Sequence, residues 1–485
     1  MKKVKVCGLL MGVLLCLMTS CFGDDTHDID EWTLGNAQIA SFSLASATSA
    51  DSVNRFADVI FTIDQINGKI YNKDSMPYGT VVDQKIFCEI EWDQGDLGVM
   101  GVAFVTEATG DTIWWTSITD SVDFSSTVII TVYPFDGLSV KRYEAKLNIH
   151  QVDPDVMNWH KYSDLTSGKT FKDMKVMPYN DSYYMYTLEN GIYHLYESDA
   201  ENIDNWRELS LSVFPDNVVL SQITEYEGDL YAISEGGALY CSYAEQNSGD
   251  EQKWSLLEGI PSIKTLLGTL SDNVVTGRTS VLSGITVGED GNMHFITINK
   301  NKEWNTGSAV AGTFPVSGFG SFNYEVMYHP RIVIAAGRDA NDNLSNDVWA
   351  TMDGLSWVLI TDGGALFSPR EGVALSMYGN YFFLIGGIDA EGTALKDVYH
   401  SVDQGIHWLD IYYEYVTGED GSDTEEEVEK YYYEMPEEYI ARGFSSVIID
   451  KNNYMLLFGG KESKDTNVLN EIWRGRLNRL ASGKK

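Results

Sequence analysis

Tyr381-Phe382-Phe383-Leu384-Ile385-Gly386-Gly387, then Asp397-Val398-Tyr399, then Ser401-Val402-Asp403-Gln404-Gly405-Ile406-His407-Trp408 is the stretch that decides the fold. The apolar run has the length of a strand and stops at a glycine pair, where the main chain turns without a Cβ. The same order recurs in Tyr454-Met455-Leu456-Leu457-Phe458-Gly459-Gly460 with Glu471-Ile472-Trp473, and in Ile332 to Gly337 with Asp347-Val348-Trp349. Working outward, Trp159, Trp206, Trp254, Trp304, Trp357 and Trp408 follow one another at intervals of 47 to 53 residues. Self-similarity at that period indicates blades of four strands each, hence a six-bladed β-propeller over residues 154–480 with the tryptophans as wedges between blades. Trp159 precedes the first full unit, and the last unit lacks a closing tryptophan. The Trp159 segment is therefore expected to supply the outer strand of blade six, leaving no free edge there.

The glycine pair, the acidic–aliphatic–aromatic opening of the third strand and the fourth-strand Trp resemble the kelch repeat, clearly in blades four to six and weakly in one to three. Ser401, Asp403, Gly405 and Trp408 resemble the Asp-box of sialidases and related propellers, and Thr351 to Trp357 a version one residue shorter. In that motif the Ser/Thr and Asp side chains bond turn amides, Gly supplies an unusual φ and Trp packs inward. The resemblance implies a structural box on the face opposite the usual ligand site, and no sialidase activity.

Upstream, residues 38–153 alternate in short runs, Val59 to Asp64, Ile86 to Trp92, Val99 to Val105, Ser126 to Tyr133 and Tyr143 to Ile149, broken by Asp-Gly and Asn-Gly turns. About seven strands in this length suit an Ig-like β-sandwich. Asn72 to Thr80 reads as a turn pinned by Pro77 and Gly79. Asp153-Pro154 marks the boundary between the two domains of an all-β chain.

Lys2, Lys3 and Lys5 followed by the apolar run Cys7 to Met18 form a signal peptide over residues 1–20, too short to span a bilayer. Met18-Thr19-Ser20-Cys21 resembles the lipobox of bacterial lipoproteins, which implies lipidation of Cys21 and a tether over 21–37. The acidic pair Asp24-Asp25 resembles the export signal of surface lipoproteins. The expected location is the Gram-negative outer membrane, with contact to the membrane through the N-terminal lipid only. Cys88 and Cys241 read as buried thiols in different domains, with no disulfide framework or zinc spacing. A formal net charge of −37 argues against nucleic acid and anionic lipid surfaces as partners.

The sequence supplies no catalytic set, no metal ligands and no cofactor. Arg370 and Arg442, with Arg278 as a further candidate, are the cations a sialidase-like site would need, but the favoured reading of each is a structural ion-pair partner. The departure from the repeat is the 34-residue interval from Trp408 to Arg442, which carries Tyr412, Tyr413, Tyr431, Tyr432 and Tyr433 around an acidic core. This insert is a solvated acidic loop, or an aromatic lid on the ligand face whose carboxylates could hold Ca²⁺. Taken whole, Phe61 to Asp64, Asn72 to Thr80, Asp120 to Phe124 and Tyr143 to Val152 resemble an uncharacterised family of Gram-negative (Bacteroides-type) lipoproteins that pairs an Ig-like region with a kelch-like propeller. The resemblance implies location and architecture and no activity. A binding or interaction protein for a glycan or protein ligand is expected. A carbohydrate-active enzyme (hydrolase, lyase or sugar epimerase) and an envelope scaffold are the alternatives.

Overall fold

The computed structural model describes residues 37–46, 56–80, 82, 86–92, 98–116, 121–166, 168–361, 367–417 and 425–480. Cys21, the signal segment and the tether lie outside them. The chain divides into two compact units, one to Pro154 and one from Asp155. Both are built of strands, with short 3₁₀ turns and no α-helix among the described residues.

The first unit has two sheets. One joins Ile39–Ser46, Ile86–Trp92 and Ser121–Val122; the other joins six strands in the order Phe61–Asp64, Lys69–Asn72, Lys141–Lys146, Val128–Pro134, Val99–Thr106 and Thr112–Trp115. Their alternating faces bury one shared core, in which Phe42 meets Phe61 edge-on at 5.0 Å. Asn72, fully buried, and Asn148 exchange side-chain and main-chain hydrogen bonds. That exchange anchors the turn element that follows Asn72.

Among the described residues, the second unit has six sheets of three to five strands, besides one two-stranded hairpin. The first runs Asp173–Tyr179, Ser182–Glu189, Ile192–Asp199 and Asn202–Ser212, with Glu251–Lys253 added in parallel. The innermost strands of the next five are Thr224–Tyr226, Ile263–Leu270, Gly320–Val326, Ala374–Tyr378 and Ser446–Ile449. Met157–Ser163 pairs antiparallel with Ile472–Leu477, so the last sheet takes its outer strand from the start of the unit. None of these sheets closes on itself. Separate apolar clusters fill the space between consecutive sheets. Ile448, Leu456 and Phe458 of the sixth sheet also pack with Val176, Met185 and Tyr196 of the first.

Most ladder tryptophans sit in these clusters: Trp254 and Trp408 are fully buried and Trp159 nearly so. Trp304 does not. It opens the outer strand Trp304–Ala309 straight after a turn and is 44% exposed, while Phe295, Phe314, Trp349 and Trp357 fill the wedge it was expected to occupy. Periodicity located the strand but not the side that its ring takes.

The insert also departs from expectation. Tyr412–Thr417 pairs with Glu425–Lys430 as a hairpin whose side chains lie outside the described residues. The main chain that follows is held at the outer edge: Tyr432 O accepts from Met157 N–H, and Tyr433 O from the Trp159 indole. Tyr433 is 2% exposed and packs edge-on against Phe383 and His400 at about 5 Å. The fifth sheet has three strands, its fourth reduced to a bridge between His400 and Leu409. Tyr433 is thus core between the fifth and sixth sheets, whereas Tyr431 is exposed and Tyr432 half-buried.

Two substitutions separate the ladder's wedges from its surface rung. Trp254→Ala is expected to cost about 3–5 kcal/mol and Trp304→Ala under about 1 kcal/mol in urea unfolding.

Candidate functional site

The glycine pairs position the inner rim. Arg370 directs one guanidinium nitrogen to Gly386 O (3.1 Å) and Asp397 Oδ1 (2.6 Å), and its other nitrogens to Ser368 O and Oγ. Arg442 repeats the arrangement with Gly459 O (3.0 Å), Glu471 Oε2 (2.6 Å) and Ile440 O (2.8 Å). Each arginine clasps the carbonyl of the first glycine of a pair and the acid that opens the third strand. A Cβ on Gly387 or Gly460 would lie about 3 Å from the arginine side chain. Both guanidinium groups are buried to within 2%. The structure therefore places these two candidates inside the sheets and not on an open face. Arg278 bonds Ser271 O and Thr279 O of its own turn.

Ser401 and Asp403 hold the turn before Trp408. Gly405 N–H donates to Ser401 Oγ (2.8 Å), His407 N–H to Asp403 Oδ1 (2.9 Å), and the Trp408 indole to Gly405 O (3.0 Å), with Gly405 at φ 94°. Every group in the box is engaged by its own turn or its own ring.

One edge of the fourth to sixth sheets holds a network that the sequence reading did not single out. Gly318, Gly372 and Phe444 stand at equivalent places, all with positive φ. Gly372 N–H donates to Gly318 O, and Phe444 N–H to Gly372 O, both at 2.6 Å. A Cβ on Gly372 would strike the Phe444 ring at 2.8 Å. Phe444 itself takes a left-handed conformation that is rare for an aromatic residue. Next to these residues, buried Glu371 accepts from Arg338 Nε (2.8 Å) and Nη2 (2.7 Å), and from Lys464 Nζ (2.8 Å). Three sheets thus meet on one carboxylate, whose hydrogen bonds raise the pKa of Arg338. Lys461 reaches Asp173 of the first sheet at 3.4 Å. Lys461 directly follows the pair Gly459-Gly460, and Arg338 follows Ala336-Gly337 at the equivalent place, a position that could have flagged them from sequence. Glu371 and Phe444 carry no such signal. Of the tyrosines expected on a ligand face, none described joins this network.

Burial alone would raise the Glu471 pKa, but hydrogen bonds from Arg442 and Trp473 outweigh it and hold the carboxyl below its usual range. His400, beside Tyr433, is fully buried, and desolvation lowers its pKa to about 4. The unfolded imidazole, near 6.5, takes its proton first. Stability contributed by neutral His400 is therefore complete above about pH 6.5 and declines as pH falls toward 4, by roughly 3 kcal/mol. Thermal unfolding followed from pH 7 to pH 4 is expected to show this decline, and His400→Phe to flatten it; an unchanged slope in the variant would remove His400 as its source.

A family model described as "DUF6242 beta propeller domain" matches residues 153–485, and one described as "Domain of unknown function (DUF6242) N-terminal domain" matches residues 38–147. No curated protein matches. A solved structure titled "Structure of YjhT" is similar at 13% identity and a TM-score of 0.43, over 63% of this chain and 95% of the other.

Proposed function

We propose that this chain, which belongs to the DUF6242 family and carries its β-propeller domain, is a non-catalytic binding protein whose propeller presents the Arg338–Glu371–Lys464 rim to a glycan or protein ligand. That network carries the reading. It joins three sheets at their inner ends and leaves Lys464 half exposed, in a chain whose net charge is −37. A basic rim on an acidic protein favours ligands with carboxylate, sulfate or acidic side chains. The enzyme alternative is weakened because Arg370 and Arg442, the cations it would use for a substrate carboxylate, are engaged by carbonyls and acids of their own sheets.

The six sheets are the blades of a six-bladed, kelch-like ring in this proposal. Six apolar clusters, one between each neighbouring pair including last and first, support it. So do the contacts that lead from Thr224–Tyr226 through each innermost strand to Asp173–Tyr179, which reaches the second sheet through the turn Leu220–Gln222. The two-sheet first unit is read as an Ig-like spacer. The chain is read as a lipoprotein anchored through Cys21 at the outer membrane, with its propeller toward the surface, on the strength of Lys2 to Cys21 and the acidic residues that follow.

Glycan-array and envelope pull-down experiments on the purified chain test the binding reading. Capture of an acidic glycan or an acidic protein is expected, reduced about tenfold, one full interaction of about 1.4 kcal/mol, by the Arg338→Ala, Lys464→Ala double substitution. Absence of capture in both experiments, or capture indifferent to the substitutions, would overturn it.

A further inference from the structure

We infer that the central channel of the propeller contains a site for a small oxyanion (a carboxylate, sulfate or phosphate group) whose charged partner is Lys175. The residue lies on Asp173–Tyr179, the innermost strand of its sheet. Its neighbours Met174 and Val176 point into the apolar cluster shared with the last sheet, so the strand's alternation turns Lys175 to the face of Met177 and Tyr179, toward the second sheet. The side chain is partly exposed. The cations that meet at the neighbouring inner ends are paired: Arg338 and Lys464 on Glu371, Lys461 on Asp173, Arg370 on Asp397, Arg442 on Glu471. The Lys175 side chain has no ion pair and no hydrogen bond among the described residues. Desolvation accordingly lowers its pKa, with no nearby charge to offset it. An ammonium partly withdrawn from water without a counter-charge bears part of the cost of desolvation, and an anion supplied from solution relieves it.

The inner segments on either side supply donors rather than acceptors. Ser446, on the adjoining strand of the last sheet, accepts Val176 N–H at 2.9 Å, which leaves its own hydroxyl proton available. Gln222, on the short turn Leu220–Gln222 that packs against Asp173–Tyr179 from the second sheet, receives Thr265 Oγ1–H and Leu266 N–H on its carbonyl. Its amide hydrogens remain free. An ammonium, a hydroxyl and a primary amide, drawn from three neighbouring sheets, match the lone pairs of an oxyanion. A bound cation would need acceptors that this set does not offer. The nearest acid in sequence, Asp173, is occupied by Lys461 and Met174 N–H.

The inference deepens the binding reading by naming a ligand group, and it rests on the propeller's rim and channel being the binding surface. It is tested by competitive lysine acetylation of the purified full chain, read residue by residue by mass spectrometry. Sulfate, phosphate and glucuronate are each compared with chloride at matched ionic strength. Acetylation of Lys175 is expected to slow about tenfold when the anion stands at ten times its Kd, with exposed Lys300 unchanged. Protection by sulfate and phosphate alone would identify an inorganic anion as the occupant, and protection by glucuronate a sugar acid. In thermal unfolding, Lys175→Met should lose the anion-specific gain in Tm while matching or exceeding the native chain in chloride. Equal Lys175 rates in all four salts, or a variant that keeps the gain, would overturn the site. Protection of Lys175 without glycan or protein capture would remove only the rim reading. Capture without protection would remove only this one.

Discussion

The main-chain hydrogen bonds that pass from sheet to sheet at the inner rim are what the second unit depends on. Gly337 N–H donates to Arg370 O and Gly387 N–H to Arg442 O, while Gly318, Gly372 and Phe444 form a second series beside them. Sheets that fan around an axis are most crowded at their innermost ends, and there the main chains come closer than side chains permit. The glycine pairs meet that constraint, and the arginine clasps then fix each pair against the third strand of its own sheet. The wide outer ends have the reverse problem, too much space, and aromatic rings fill it.

This division explains what the sequence discloses. The crowded rim leaves glycines and the wide wedges leave tryptophans, both rare enough to show as a period. The charge of Asp397 or Glu471 at the head of a third strand becomes intelligible once it is seen on Arg370 or Arg442. Sheets one to three are harder to read because the pattern shifts: in the second sheet the pair Gly236-Gly237 comes two residues beyond the strand Asp229–Ile233, and Gln222 adds a side-chain bridge to Thr265 and Leu266. The position of Trp304 could not be read either. A strand spacing fixes where a residue lies along the chain, while its exposure depends on which neighbouring ring, here Phe314 or Trp357, occupies the wedge first.

The rim site is mostly invisible in the sequence for a related reason. Glu371 gathers Arg338 from 33 residues before it and Lys464 from a later sheet. No local spacing encodes such a meeting. Lys175 is the exception in kind: a cation between the buried Met174 and Val176 of an inner strand is anomalous on sight, yet its meaning depends on what its side chain meets. The acidic insert, conspicuous in composition, is anchored by Tyr432 and Tyr433 at the outer edge, beside Met157 and Trp159. Conspicuous composition and functional placement are separate properties here.

The pairing of Met157 with Leu477 also sets a timetable. During synthesis the strand Met157–Ser163 emerges more than three hundred residues before its partner exists. Its edge stays open while the intervening sheets assemble, and the last sheet cannot be completed until the final segment of the chain is free. The second unit therefore acquires its finished form in one late step, and a chain interrupted anywhere before Ile472 leaves Met157–Ser163 without its partner.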